Sequence, residues 1–210
     1  MHKRAKFILD FWFIESSPKE KFNRSDEFDQ KIKKFFLEDY EKAVSNQYDN
    51  WQDSADECLA LIILLDQFSR NLFRNNSKAF AMDNKAQKIA KTAINKGFHK
   101  ILDNNQILFI FLPLMHSENL KDQLNCTKLI DAYLKENSNY HEIKKFSKIH
   151  LDIIQKFGRF PYRNKVLKRY NTIEENDLSR LFYGTPSIRY ARAIAPPSEK
   201  TIPLRRLAPA

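Results

Sequence analysis

The sequence predicts an all-α fold of antiparallel helical hairpins packed into one compact domain. Three observations carry that prediction. Only three glycines occur in 210 residues, too few for a chain dense in tight turns. Apolar residues recur at helical spacing in one segment after another. The connections between those segments are short, which joins neighbouring helices as hairpins. No clean repeat of about 34 residues is visible, so a solenoid is not read from period.

Residues 7–14 are apolar except Asp10. So short a run does not separate helix from strand by period, and the surrounding helices decide for helix. Residues 25–45 form the first clear helix. Ser25 suits its N-cap, Asp26 and Glu27 suit the positive end of its dipole, and Phe28, Ile32, Phe35, Phe36, Tyr40 and Ala43 fall on one stripe. Residues 55–73 form the next, apolar almost without interruption from Cys58 to Leu65 and so buried on most sides. Asp83 caps a third helix with Ala86, Ile89, Ala90, Ala93 and Ile94 inward, and Gly97 supplies its left-handed stop. Residues 104–115 continue as an apolar helix, broken or kinked near Pro113. Residues 118–136 follow, with Leu120, Leu124 and Tyr133 in the core. Residues 139–157 turn Ile143, Phe146, Ile153, Ile154 and Phe157 inward and stop at Gly158.

Composition excludes several classes. With 42% hydrophobic and 13% aromatic residues, the chain has material for a core. The longest uncharged apolar run, Ile107–Met115, is nine residues, against the roughly 20 needed to span a bilayer. The N-terminal "MHKRAKFILDFWFI" has the charged-then-apolar order of a signal peptide. Asp10 interrupts the apolar part and no small-residue cleavage site follows, so it reads as a core element. Cys58 and Cys126 are too few for a disulfide framework; buried reduced thiols and a cytoplasmic setting are the expectation.

The formal charge is +10, of which residues 181–210 supply +4 and the body +6. In the body acids are interleaved with lysines, as in "DQKIKKFFLEDYEK" (29–42). That is the pattern of solvated helix faces and argues against nucleic acid. Five of the eight prolines lie in 181–210, asparagine vanishes there and arginine replaces lysine. The expected organisation is an all-helical domain over 1–180 and an extended tail over 181–210.

Three polar segments stand out. In "LDQFSRNLFR" (65–74), Asp66 and Arg70 lie in line with Leu59, Ile62 and Ile63, four residues apart, where side chains meet. A structural ion pair is one reading; the other has Asp66 holding Arg70 toward a ligand, with Gln67, Asn71 and Arg74 nearby. In "LPLMHSEN" (112–119), His116 stands two residues before Glu118. The pair suits acid–base work or, equally, a helix-start cluster with Ser117 as cap. In "KFGRFPYRN" (156–164), Arg159 and Arg163 bracket a stiff Phe160–Pro161 elbow that closes on Asn164. Such a loop suits bidentate capture of a carboxylate or phosphate, or else its arginines cap helix carbonyls and pair with Asp66 or Glu118. His150 lies on an apolar face just before it.

"ILDFWF" (8–13), "LALIILLDQFSRNLFR" (59–74), "AFAMD" (79–83), "LPLMHSE" (112–118), "DQ" (122–123), "FGRFPYRN" (157–164) and "TIEE" (172–175) together resemble the domain-of-unknown-function 924 family over residues 7–178. The resemblance implies an all-α, tetratricopeptide-like right-handed helical array and no established activity. Two departures are Ser69, where the family has proline in "DQFPRN", and Tyr162, where it has histidine in "FPHRN". A tyrosine at the second position weakens a metal reading.

The expected site gathers His116 and Glu118 as catalytic candidates and Asp66, Arg70, Asn71, His150, Arg159, Arg163 and Asn164 as ligand contacts. No metal ligands are assigned, because neither HExxH nor ExxH spacing occurs. No phosphate-cradling glycine loop or nucleotide fingerprint occurs either, so no cofactor is named. Three arginines point to a small anionic ligand. The alternative is a scaffold whose groove holds an acidic peptide. Whether any reaction is catalysed, and the oligomeric state, are left open by the sequence.

Overall fold

The computed structural model describes residues 1–176. The domain boundary expected at 180 and the tail at 181–210 lie outside the described residues. Among the described residues the α-helices run in order: α1 (Lys3–Asp10), α2 (Pro18–Phe22), α3 (Asp26–Val44), α4 (Ala55–Ile62), α5 (Ser69–Leu72), α6 (Asp83–Asn95), α7 (Asn104–Met115), α8 (Leu120–Tyr133) and α9 (Tyr140–Phe157). Among the described residues there is no strand. No helix among them is long and apolar enough to cross a membrane.

Two helices widen into π turns. Phe11–Glu15 continues α1, and Ile63–Phe68 joins α4 to α5. A π turn bonds i to i+5 and takes one extra residue, so the 100° wheel drawn through 55–73 no longer holds beyond Ile63. An aromatic cluster ties these turns to the core. Phe36 lies 4.8 Å from both Phe11 and Phe68, and Trp12 lies 5.5 Å from Phe68 and 5.7 Å from Phe109. Helix α7 runs through the centre, with every residue from Ile107 to Met115 buried. It packs on α6 and α8, and α8 packs on α9, as consecutive hairpins do.

Several local signals act as read. Ser25 accepts from the Phe28 amide at 3.1 Å. Gly97 and Gly158 take left-handed conformations, φ +77 and +66. Cys58 and Cys126 are free and buried, and burial pushes both thiols up to about 12. At Gly158 nothing lies within 4 Å of an added Cβ, so Gly158→Ala adds backbone strain without a clash. The expected loss is about 1 kcal/mol, read from urea midpoints.

Others differ. Helix α7 passes through Pro113 without ending. The proline penalty of about 3 kcal/mol is smaller than what several fully buried side chains contribute at roughly 1.5–3 kcal/mol each. Phe35, placed on the buried stripe of α3, is 42% exposed. Leu120, Leu124 and Tyr133 are also exposed; the buried face of α8 is Asp122, Gln123, Cys126 and Ile130. Polar residues occupy that face because they close the end of α7. The Gln123 amide donates to the Met115 and Ser117 carbonyls at 2.6 Å, and Asp122 accepts from the Ser117 hydroxyl at 2.8 Å. The cap of α8 is Asn119, and Ser117, two residues upstream, accepts from the Asn119 amide at 3.2 Å.

A closed ring of charged side chains

The π turn Ile63–Phe68 aims Asp66 inward, where it is fully buried. Its carboxylate accepts from the Gln67 amide at 2.6 Å. Both its oxygens lie 2.9 Å from His116 Nδ1. His116 is the C-terminal residue that α7 delivers to this point. Burial alone would raise the Asp66 pKa. The charge and hydrogen bond of His116, with Arg70 and Gln67, outweigh it and hold the carboxyl at about 2.

From Asp66 the contacts run on. Arg70 Nη2 is 3.4 Å from Asp66 Oδ1 and 2.7 Å from Asp83 Oδ1, the latter out of hydrogen-bond alignment. Arg70 Nη1 donates to the Ala79 carbonyl, and the guanidinium lies 4.8 Å from the Phe80 ring. Asp83 Oδ2 accepts from Arg163 Nη1 at 3.0 Å, and Arg163 Nη2 donates to the His116 carbonyl at 3.0 Å. The Arg163 guanidinium sits 4.7 Å from Phe80 and 4.6 Å from Phe160. The circuit therefore closes: His116, Asp66, Arg70, Asp83, Arg163 and back to His116. Asp83 and Arg163 are buried, whereas the Arg70 and His116 side chains keep 22% and 20% of their exposure. These two form the accessible edge. His116 Nε2 has no partner among the described residues.

His150 stands behind this edge, its ring 6.4 Å from that of His116 and 5.5 Å from Phe160. Its Nδ1 faces the Phe146 carbonyl at 2.9 Å, which assigns the proton to Nδ1. Burial is the main cause that lowers its pKa to about 4, with His116 and Arg163 adding repulsion.

The sequence-predicted residues thus divide. Asp66, Arg70, His116 and Arg163 meet, with His150 adjacent. The expected His116–Glu118 pair is not formed: Glu118 accepts from both Arg169 terminal nitrogens, at 2.7 and 2.9 Å, and from the Phe160 amide at 2.8 Å. Asn164 joins that network through Arg169 Nε at 2.8 Å. Arg159 turns away to Glu175, at 2.6 and 2.8 Å, and to the Tyr170 carbonyl at 2.9 Å. Asn71 lies on Asp29, which Arg74 also binds at 2.6 and 2.7 Å. Asp66 takes His116, not Arg70, as its nearest partner among these groups. Asp83 and Phe80 belong to the ring, and Arg169 and Glu175 to the neighbouring network of Glu118 and Arg159; the sequence alone assigns none of the four to the site. In the sequence Asp83 reads as a helix start; its signal is the "AFAMD" block, which carries both Phe80 and Asp83. Among the described residues, no group of three or more His, Cys, Asp or Glu side chains could hold a metal ion.

Residues 8–179 match the family described as bacterial protein of unknown function, DUF924. The chain belongs to this family. A solved structure, that of the protein of unknown function ATU0120 from Agrobacterium tumefaciens, is similar at a TM-score of 0.78. It is 31% identical, with 85% of this chain and 98% of that chain covered. No functionally curated protein matches the chain. Within the DUF924 match, the quoted blocks contribute Asp66, Arg70, Phe80, Asp83, His116 and Arg163, the residues of the ring.

Proposed function

We propose that the ring is a binding site for a small anionic ligand, a carboxylate or phosphate, engaged at its accessible edge by Arg70 and His116. The observation that carries this is a partly exposed imidazole held at Nδ1 by a fully buried carboxylate, with Nε2 left free. Asp66 fixes the ring orientation through Nδ1, so Nε2 is the atom left to face a ligand. Should the ligand react, the same atom is the acid–base group, and Asp66 is its positioning residue. Arg163 and Asp83 act one step back, as the support that sets Arg70 and the His116 backbone. The ring's two carboxylates balance its two guanidiniums, and Arg70 is the guanidinium that reaches the accessible edge. Arg159 lies outside the ring.

Thermal-shift titration with inorganic phosphate, citrate and short mono- and dicarboxylates tests the reading. Saturable stabilisation is expected for one chemical class, and His116→Gln should weaken that binding about tenfold or more. A flat panel, or a hit bound equally by a folded His116→Gln protein, overturns it.

A further inference from the structure

A second feature lies apart from the ring. An open cleft of about 770 Å³ runs between the π turn Phe11–Glu15, α2 and the start of α7. Its floor includes Phe13, Phe22, Leu108 and Phe109, with Phe13 and Phe109 packed edge-to-face at 5.3 Å. Lys21, on its wall, holds Nζ 5.8 Å from the Trp12 ring and 5.5 Å from the Phe13 ring. Its ammonium makes no ion pair or hydrogen bond with any described residue.

The acids around the cleft are mostly committed elsewhere. Asp10 binds Lys6 at 2.5 Å. Asp103 accepts from the Asn105 and Gln106 amides at 2.8 and 3.0 Å. Glu20 accepts from the Ser17 amide at 2.9 Å and its hydroxyl at 2.7 Å. Glu15 lies on the exposed rim. A partly buried ammonium commonly has a counter-anion, and here the protein supplies none in contact.

We propose that this cleft binds a small organic carboxylate with an apolar body, its carboxylate on Lys21 and its body on the aromatic floor. Burial, against a weaker opposing pull from Glu20, already lowers the Lys21 pKa to about 8. A bound carboxylate favours the charged amine, so binding takes up protons near pH 8 and weakens as the amine deprotonates.

The test is calorimetric titration of octanoate, with 1-octanol as the neutral probe of equal length. Octanoate is expected to bind the wild-type protein at pH 7 more tightly than octanol. At pH 9 its affinity should drop by about tenfold, since the amine is then about nine-tenths neutral. At pH 8 the heat should depend on the buffer's ionisation enthalpy, reporting proton uptake. Lys21→Gln should weaken octanoate about tenfold or more while leaving octanol unchanged, its fold checked by circular dichroism. His116→Gln should leave the Lys21-dependent octanoate site intact, which separates this cleft from the ring. Any one of these sinks the proposal: no octanoate binding, equal affinity for octanol, no proton uptake at pH 8, unchanged binding in folded Lys21→Gln, or loss in His116→Gln. The uptake and pH measurements use the wild-type chain and stand even if Lys21→Gln fails to fold.

Discussion

Asp83→Ala is expected to destabilise the protein by about 3–5 kcal/mol, because it strips a buried arginine of its only carboxylate contact among the described residues. Arg163 is 5% exposed, and its Nη1 donates to Asp83 Oδ2 at 3.0 Å. The aromatic faces of Phe80 and Phe160 soften the loss without supplying a counter-charge. Arg70 also loses its nearest carboxylate oxygen, at 2.7 Å, and is left with the 3.4 Å contact to Asp66. Urea unfolding at pH 7 measures the effect. A loss below about 1 kcal/mol would mean that water reaches Arg163 and that the ring is not a buried support. Glu118 provides the contrast: it is 28% exposed and pairs with a partly exposed Arg169, so an equivalent truncation there should matter less.

Stability is expected to decline as the pH falls from about 6.5 toward 4, with His150 as a principal cause. Burial holds its pKa down from 6.5 to about 4 in the folded protein. In that interval the unfolded chain binds a proton that the folded one refuses, so protonation drives unfolding. The contribution is fully present above pH 6.5 and lost progressively on acidification, amounting to on the order of 3 kcal/mol at pH 4. His99 is lowered too, chiefly by burial, and acts in the same direction. Asp66, held at about 2, adds its own loss only below about pH 4, as does Glu118, whose pKa is also lowered. Urea midpoints at pH 7, 6 and 5 isolate the imidazoles. His150→Gln should flatten that slope measurably; an unchanged slope would assign it to His99.

The two proposed sites differ in how they were legible. The ring was half readable: its parts sat in the polar segments that broke the helical pattern, and Asp66, Arg70, His116 and Arg163 do converge. The Lys21 cleft was not readable, since a lysine before a phenylalanine in "PKEKF" looks like any solvated helix end. Its desolvation comes from Trp12 and Phe13 on a separate helix.

The sequence by itself determined the helices and their stops, because capping, left-handed glycines and 3.6-residue periodicity act within a few residues of each other. Ser25, Gly97 and Gly158 are such cases. Only the tertiary structure decided which charge meets which. Asp83 and Arg163 are 80 residues apart, and Asp66 and His116 are 50 apart. Electrostatic pairing depends on distance in space, and the one-residue rotation of a π turn is enough to hand Asp66 to His116 and send Arg70 to Asp83.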